Sequence, residues 1–354
     1  IEGAGNSSAF CFAKSTAAFT LIDSPASFMR ALSLAAPHQF EFVEIPEAAS
    51  PGPDEALVRI HAVGVCGTDV SGYLGKMPFI QYPRILGHEL GVEVLAVGDQ
   101  VKNVKAGDRC SVEPYLNCGV CAPCLRGLTN CCEKLEVLGV HTDGGLRPRL
   151  LLSAHKLHRA ENLSFEQLAL VETLAIGCHA VNRAEVNREH SVMVIGAGPI
   201  GLSVIEFVRL TGARLHVIET DERRRQFVRS NYGIEVEAEP GGMADIVFDA
   251  TGHPASMSKC FAYAAFAGRV VFVGITPEPV PLNDPLFHRR ELTLLASRNA
   301  VADDFTRIIG LIRDGSINTA PWITHRMAFG EVPVAFPKLL QPGSGVVKAV
   351  ITMD

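Results

Sequence analysis

From about residue 30 to 115 hydrophobic and polar positions alternate, with glycine and proline between the runs. Leu57-Val58-Arg59-Ile60-His61-Ala62-Val63 alternates, Gly91-Val92-Glu93-Val94-Leu95-Ala96-Val97 is a second strand-like run, and both predict β-strands. The pattern changes near residue 180. Ser191-Val192-Met193-Val194-Ile195 is an unbroken apolar run, as in a strand buried on both faces, and a glycine-rich turn and a helical stretch follow it. Further apolar strands are predicted at 214–218, 234–236, 245–250, 269–273 and 292–296. Helical or turn-rich segments separate most of them. Six strands in this rhythm predict a doubly wound parallel sheet, and the chain as a whole reads as α/β. One link, 237–244, is too short for a crossover helix. In the usual strand order it spans three strand spacings, about 14 Å. Its eight residues reach roughly 27 Å when extended, so a loop is expected there. After about 318 the text is strand-like again, ending in Gly345-Val346-Val347-Lys348-Ala349-Val350-Ile351.

A length of 354 residues and 47% hydrophobic content suit two domains, each with its own core. A net charge of −6 argues against a nucleic-acid partner, and the absence of an apolar run of about 20 residues argues against a membrane span. Ten cysteines would suit a secreted disulfide protein, but five crowd into residues 118–132, four of them at short regular spacing, which reads as metal ligation in a reducing, cytoplasmic setting. Residues 1–28 are rich in Ala, Ser and Phe and lack a sustained period, and Met29-Arg30-Ala31-Leu32 reads like a natural start. They are expected to lie outside the fold. The expected division is 29–179 as a β-rich catalytic domain, 180–317 as a dinucleotide-binding domain, and 318–354 as a return segment completing the first domain.

Three constellations carry chemistry. Gly196-Ala197-Gly198-Pro199-Ile200-Gly201 is a GxGxxG between a strand and a helix. Its glycines permit a tight turn, close approach of a pyrophosphate and close helix–strand packing, while the helix N-terminus faces phosphate charge. Glu219 closes the next strand 18 residues after Gly201, where an acid accepts both ribose hydroxyls of NAD and repels the 2′-phosphate of NADP. Arg223, Arg224 and Arg225 follow it, either as a solvated helix face or as phosphate ligands. Cys118, Cys121, Cys124 and Cys132 are spaced C-x2-C-x2-C-x7-C, which suits a closed structural zinc site, and Cys131 competes with Cys132 for the last position. Finally, Cys66 ends a strand, His88 and Glu89 lie 22 and 23 residues later, and Glu172 sits in Val171-Glu172-Thr173-Leu174.

Together with Gly64-Val65-Cys66-Gly67-Thr68-Asp69, Gly87-His88-Glu89-Leu90-Gly91 and Phe248-Asp249-Ala250-Thr251-Gly252, these motifs resemble the zinc-containing medium-chain alcohol dehydrogenases from about residue 29 to the end. The resemblance implies a GroES-like catalytic domain interrupted by a Rossmann domain, two zincs per chain, NAD, and a homodimer or homotetramer. It implies that Cys66 and His88 ligate a catalytic zinc, with Glu89 or Glu172 as third ligand. Glu172 is expected at that zinc, directly or through a water. Asp69 would orient His88. The cofactor set would comprise Gly196, Gly198, Pro199, Ile200, Gly201, Glu219, Arg224, Thr251 and Gly274. Zinc as a Lewis acid stabilises an alkoxide near neutral pH, whose carbon gives hydride to nicotinamide, and Thr68 would take the alcohol proton. Ser71 stands where many relatives complete the proton relay with His.

Leu138-Gly139-Val140-His141-Thr142-Asp143-Gly144-Gly145 and Ala296-Ser297-Arg298-Asn299-Ala300 resemble a branch of sugar-acid and starvation-sensing dehydrogenases. Arg298 would clamp a substrate carboxylate, or else pair with Asp303 or Asp304. Leu146-Arg147-Pro148-Arg149 departs from the branch pattern: its arginines either favour an anionic substrate or are surface charges. The expected activity is oxidation of a secondary hydroxyl of a polyol, sugar or sugar acid. A threonine-type amino-alcohol dehydrogenase and a non-catalytic, zinc-stabilised binding protein are the alternatives.

Overall fold

The computed structural model describes residues 27–353. The first strand is Phe28–Ala36, where Phe28 pairs with Pro46 and the Ser27 carbonyl accepts the Glu47 N–H at 2.8 Å. Ser27 and Phe28 thus belong to the fold, and the remaining expectation for 1–26 falls outside the described residues.

The β-rich unit is built on one mixed sheet. Its strands run in the order Leu157–Arg159, Arg109–Val112, Glu89–Val97, Glu55–Val65, Lys348–Thr352 and Ile323–Ala328, with Arg149–Ser153 also pairing with Glu55–Val65. The strand Lys348–Thr352 lies in this sheet, where Ala349 pairs antiparallel with Val65. A smaller sheet joins Phe28–Ala36 to Gln39–Pro46 and Arg84–Ile85. Alternation along Glu55–Val65 sends Ala56, Val58 and Ile60 into the core, and Val63 joins them beyond the register shift between Ile60 and Ala62.

The second unit has six parallel strands in the order Val236–Glu237, Arg214–Ile218, Ser191–Ile195, Ala244–Asp249, Ala264–Phe272 and Thr293–Ala296. This is the doubly wound order. The link between Val236–Glu237 and Ala244–Asp249 is a loop, as its length demands. The strand expected at 234–236 shrinks to two residues, and the one expected at 269–273 starts earlier, at Ala264.

Helix Phe165–Arg183 joins the units. Ser164 caps it, accepting from the Gln167 N–H at 3.1 Å, while Gln167 Oε1 accepts the Ser164 N–H at 2.9 Å. The run from Leu168 to Ala175 is buried on every face. The helix packs against Glu55–Val65, Glu89–Val97 and the helix Pro199–Thr211, so the expected boundary at 179/180 cuts through a continuous element. A Cβ on Gly177 would stand 2.2 Å from Ser203 Oγ, which is why glycine lets the two helices meet. No helix among the described residues is long and apolar enough to cross a membrane.

Candidate active site

Two adjacent strands deliver the central residues. Gly64 pairs with Glu89 across the sheet, Cys66 follows the first strand as N-cap of the helix Gly67–Tyr73, and His88 immediately precedes the second strand. Cys66 Sγ, a His88 ring nitrogen and a Glu89 carboxylate oxygen lie within 4.8 Å of one another. Asp69 ties the group together. Its Oδ2 accepts the Cys66 N–H at 2.8 Å, and its Oδ1 faces His88 Nδ1 at 3.7 Å. That distance is longer than a hydrogen bond and places the Asp69 carboxylate beside the Nδ1 edge of the ring as an electrostatic contact. Glu89 Oε1 pairs with Lys348 Nζ, and both side chains are fully buried. Glu89 Oε2 is buried and has no hydrogen-bond partner among the described residues. A Cβ on Gly64 would lie 2.0 Å from that oxygen, so only glycine leaves room for the carboxylate. A thiolate, an imidazole and an unsatisfied buried carboxylate oxygen form a donor set that fits zinc. Thr68 and Ser71 lie on the helix after Cys66, both half-buried.

Glu172 is outside the trio. Its Oε1 accepts the Tyr115 hydroxyl at 2.5 Å, and both side chains are buried. Burial pushes the Glu172 carboxyl above its usual range, against the pull of His88. Burial and the neighbouring carboxylate hold the Tyr115 phenol well above its own range, so it remains a donor.

The cysteine lobe brings four thiols together. The sulfurs of Cys118, Cys121, Cys124 and Cys132 lie within 4.8 Å of one another, and Cys131 is exposed and outside the group. Cys132 Sγ accepts the Cys118 and Lys134 backbone N–H groups at 3.2 and 3.3 Å. The Val120 and Cys121 N–H groups draw the Cys118 thiol down to about 6, favouring the thiolate. Cys178 is buried elsewhere, donating to Asp304.

The dinucleotide residues gather at the carboxyl end of the parallel sheet. Gly196 adopts φ 93°, Gly198 caps the helix Pro199–Thr211, and Pro199 and Ile200 form its first turn. A Cβ on Gly201 would meet Gly196 O at 1.8 Å. Glu219 accepts the Ala197 and Asp221 N–H groups at 2.8 and 2.9 Å, with Arg224 Nη1 3.7 Å away. Arg225 pairs with Glu222 instead. Thr251 and Gly274 follow the neighbouring strands, their N–H groups donating to Asp249 Oδ1 and O respectively. Arg298 follows the last strand, at the same end of the sheet, and is exposed. It forms no ion pair with Asp303 or Asp304 among the described residues. Asp304 is engaged by His179, Asn182 and the Val301 N–H. Arg149 pairs with Glu47 at 2.8 Å, and Arg147 donates to the Asp143 carbonyl at 3.1 Å.

Sequence reasoning missed Lys348, Tyr115 and the spatial role of Gly64. A lone lysine inside the apolar run 345–351 is the one signal that pointed to a buried pair.

Residues 52–162 match the alcohol dehydrogenase GroES-like domain, and residues 199–314 match the zinc-binding dehydrogenase domain. The chain is 36% identical over 319 residues to L-galactonate-5-dehydrogenase of Escherichia coli K12, covering 86% of this chain and 94% of the relative. It is 30% identical to L-arabinitol 4-dehydrogenase of Talaromyces emersonii, covering 87% of each. Among solved structures, an Escherichia coli CFT073 alcohol dehydrogenase, RspB, complexed with NADH superposes with a TM-score of 0.86 at 26% identity, covering 92% of this chain and 99% of that one. The chain therefore belongs to the zinc-dependent medium-chain alcohol dehydrogenases, with a GroES-like domain and a Rossmann domain.

Proposed function

We propose that this dehydrogenase oxidises a secondary hydroxyl of a sugar acid or related polyol and passes the hydride to NAD. The observation that carries the reading is the buried trio of Cys66, His88 and Glu89, with one glutamate oxygen left without a partner. These three residues would hold the catalytic zinc, which when bound supplies Lewis-acid stabilisation of a substrate alkoxide. Asp69 orients His88, and Thr68 takes the alcohol proton. Gly196, Gly198, Pro199, Ile200 and Gly201 hold the pyrophosphate at a helix N-terminus, and Arg224, Thr251 and Gly274 line the same edge. Glu219 accepts the ribose hydroxyls, since each of its oxygens retains a lone pair beyond its backbone bond. Cys118, Cys121, Cys124 and Cys132 hold a second, structural zinc. Among the described residues Arg298 has no carboxylate partner, which supports its use as a clamp for a substrate carboxylate. The named activities of the galactonate and arabinitol relatives support the substrate class.

Free thiols at all nine described cysteines support a reducing, cytoplasmic compartment. The strand Thr293–Ala296 is the open edge of a parallel sheet and exposes Leu294, which supports a homodimer joined there.

The test is NADH formation over matched aldonates and polyols and L-threonine, with and without a chelator, repeated with NADP. Turnover of an aldonate with NAD, abolished by chelation, is expected. L-Threonine as the best substrate, equal kcat/KM with NADP, or chelator-insensitive turnover would overturn the reading.

A further inference from the structure

Two buried glutamates lie near Cys66 and His88, and each already has a partner of its own. Glu89 gives Oε1 to Lys348, and Glu172 gives Oε1 to Tyr115. The partners differ in strength and origin. Lys348 is a full charge carried in by the return strand, while Tyr115 is a neutral donor on the short strand Tyr115–Leu116, which pairs with Glu136–Val137. Among the described residues it is Glu89 whose carboxylate oxygen groups with Cys66 and His88.

A tetrahedral site with three protein ligands keeps one position open for substrate. With Cys66, His88 and Glu89 in place, a fourth ligand from Glu172 would close it. Glu172 is held on a rigid, fully buried helix turn, so its side-chain torsions alone decide whether the carboxylate reaches the metal. The 2.5 Å bond from Tyr115 is the one hydrogen bond that fixes them among the described residues. Resting on the metal site proposed above, we infer that Tyr115 is a positioning residue: its hydroxyl restrains Glu172 outside the metal's shell and so keeps the substrate position open. Removal of the hydroxyl leaves a buried carboxylate oxygen without a donor, and such a loss is costly. The nearest compensation is the cation itself, so the carboxylate moves in and the open position closes.

Tyr115→Phe removes one oxygen and keeps the ring that meets Phe305 edge-on at 6.2 Å, so the packing survives. The experiment exchanges cobalt(II) into the Cys66 site of the intact protein and records its visible spectrum. An open position takes up an added monodentate anion such as azide, which shifts the cobalt(II) bands, whereas a carboxylate already in that position keeps the anion out. Tyr115→Phe is expected to lose the azide-induced shift and to lower kcat about 10–100-fold, the usual scale for losing a residue that orients a ligand. The double variant Tyr115→Phe/Glu172→Gln is expected to recover the azide response, because an amide is a poor ligand. An azide response that persists in Tyr115→Phe, or one lost there and not recovered in the double variant, would overturn the inference. Glu172→Gln alone gives a second check if Tyr115→Phe fails to fold. Its spectrum and azide response should match the unmodified protein, and a changed spectrum would make Glu172 a ligand already and sink the idea. Failure of the underlying metal site is read separately, as an unmodified protein that takes up no metal dependent on Cys66.

Discussion

At the scale of single residues, the site depends on buried charges that cannot be rearranged cheaply. Lys348 and Glu89 face each other with side chains about 1% exposed. Removing one partner of such a pair leaves an uncompensated charge in the interior and typically costs about 3–5 kcal/mol. Lys348→Met should therefore unfold at markedly lower urea than the unmodified chain, with both held in chelator so that metal does not mask the loss. Equal midpoints would show that the carboxylate finds another partner. The role of Gly64 is steric: the Glu89 carboxylate oxygen occupies the space that any Cβ on residue 64 would fill. Neither dependence was legible in the sequence, because a strand register and a pairing across 259 residues place these groups together. Cys66, His88, Glu89 and Glu172 were legible as a set only through the resemblance of their motifs to the dehydrogenase family. Their ranking was not. Which glutamate joins Cys66 and His88 is a matter of where the strand Glu89–Val97 and the helix Phe165–Arg183 point their side chains.

Among the elements, the cysteine lobe and the joining helix differ in what keeps them folded. The lobe contains only the four-residue helix Ala122–Leu125 and the turn Thr129–Cys131, and it leaves Val120 and Leu125 exposed. So little packing cannot hold it, and the four thiolates closing on a metal supply the missing stability. Cys121→Ser should mainly lower stability, whereas Cys66→Ser should mainly abolish turnover. Metal analysis should fall from two zincs per chain to one in both variants. A single zinc in the fully loaded, unmodified protein would contradict this. The joining helix is stabilised by burial on every face and by its Ser164–Gln167 cap. Its apolar character reads clearly from the text, but the domain boundary drawn through it does not hold, because a helix buried all round shows no change of pattern where one neighbour gives way to the other.

For the whole molecule, the chain leaves the β-rich unit, builds the parallel sheet and returns to complete the first sheet beside Cys66. The strand Thr293–Ala296 ends the parallel sheet with an open edge, and Leu294 is 42% exposed on it. Pairing of this edge with its symmetry copy would cover both the edge and the leucine. Leu294→Lys should shift the protein from dimer to monomer in light scattering after size exclusion, and a monomeric unmodified protein would refute the pairing. The sequence by itself determined the two-unit architecture, the doubly wound strand order, the loop at 237–244, the glycine-rich turn, and the four thiols of one lobe. Each of these is set by local period, by reach along the chain, or by spacing within one short segment. Only the tertiary structure decided that Glu89 joins Cys66 and His88, that Tyr115 bonds to Glu172, and that Lys348 comes back to Glu89. These contacts follow from which strands lie side by side, and nothing in the local pattern of hydrophobic and polar residues fixes that.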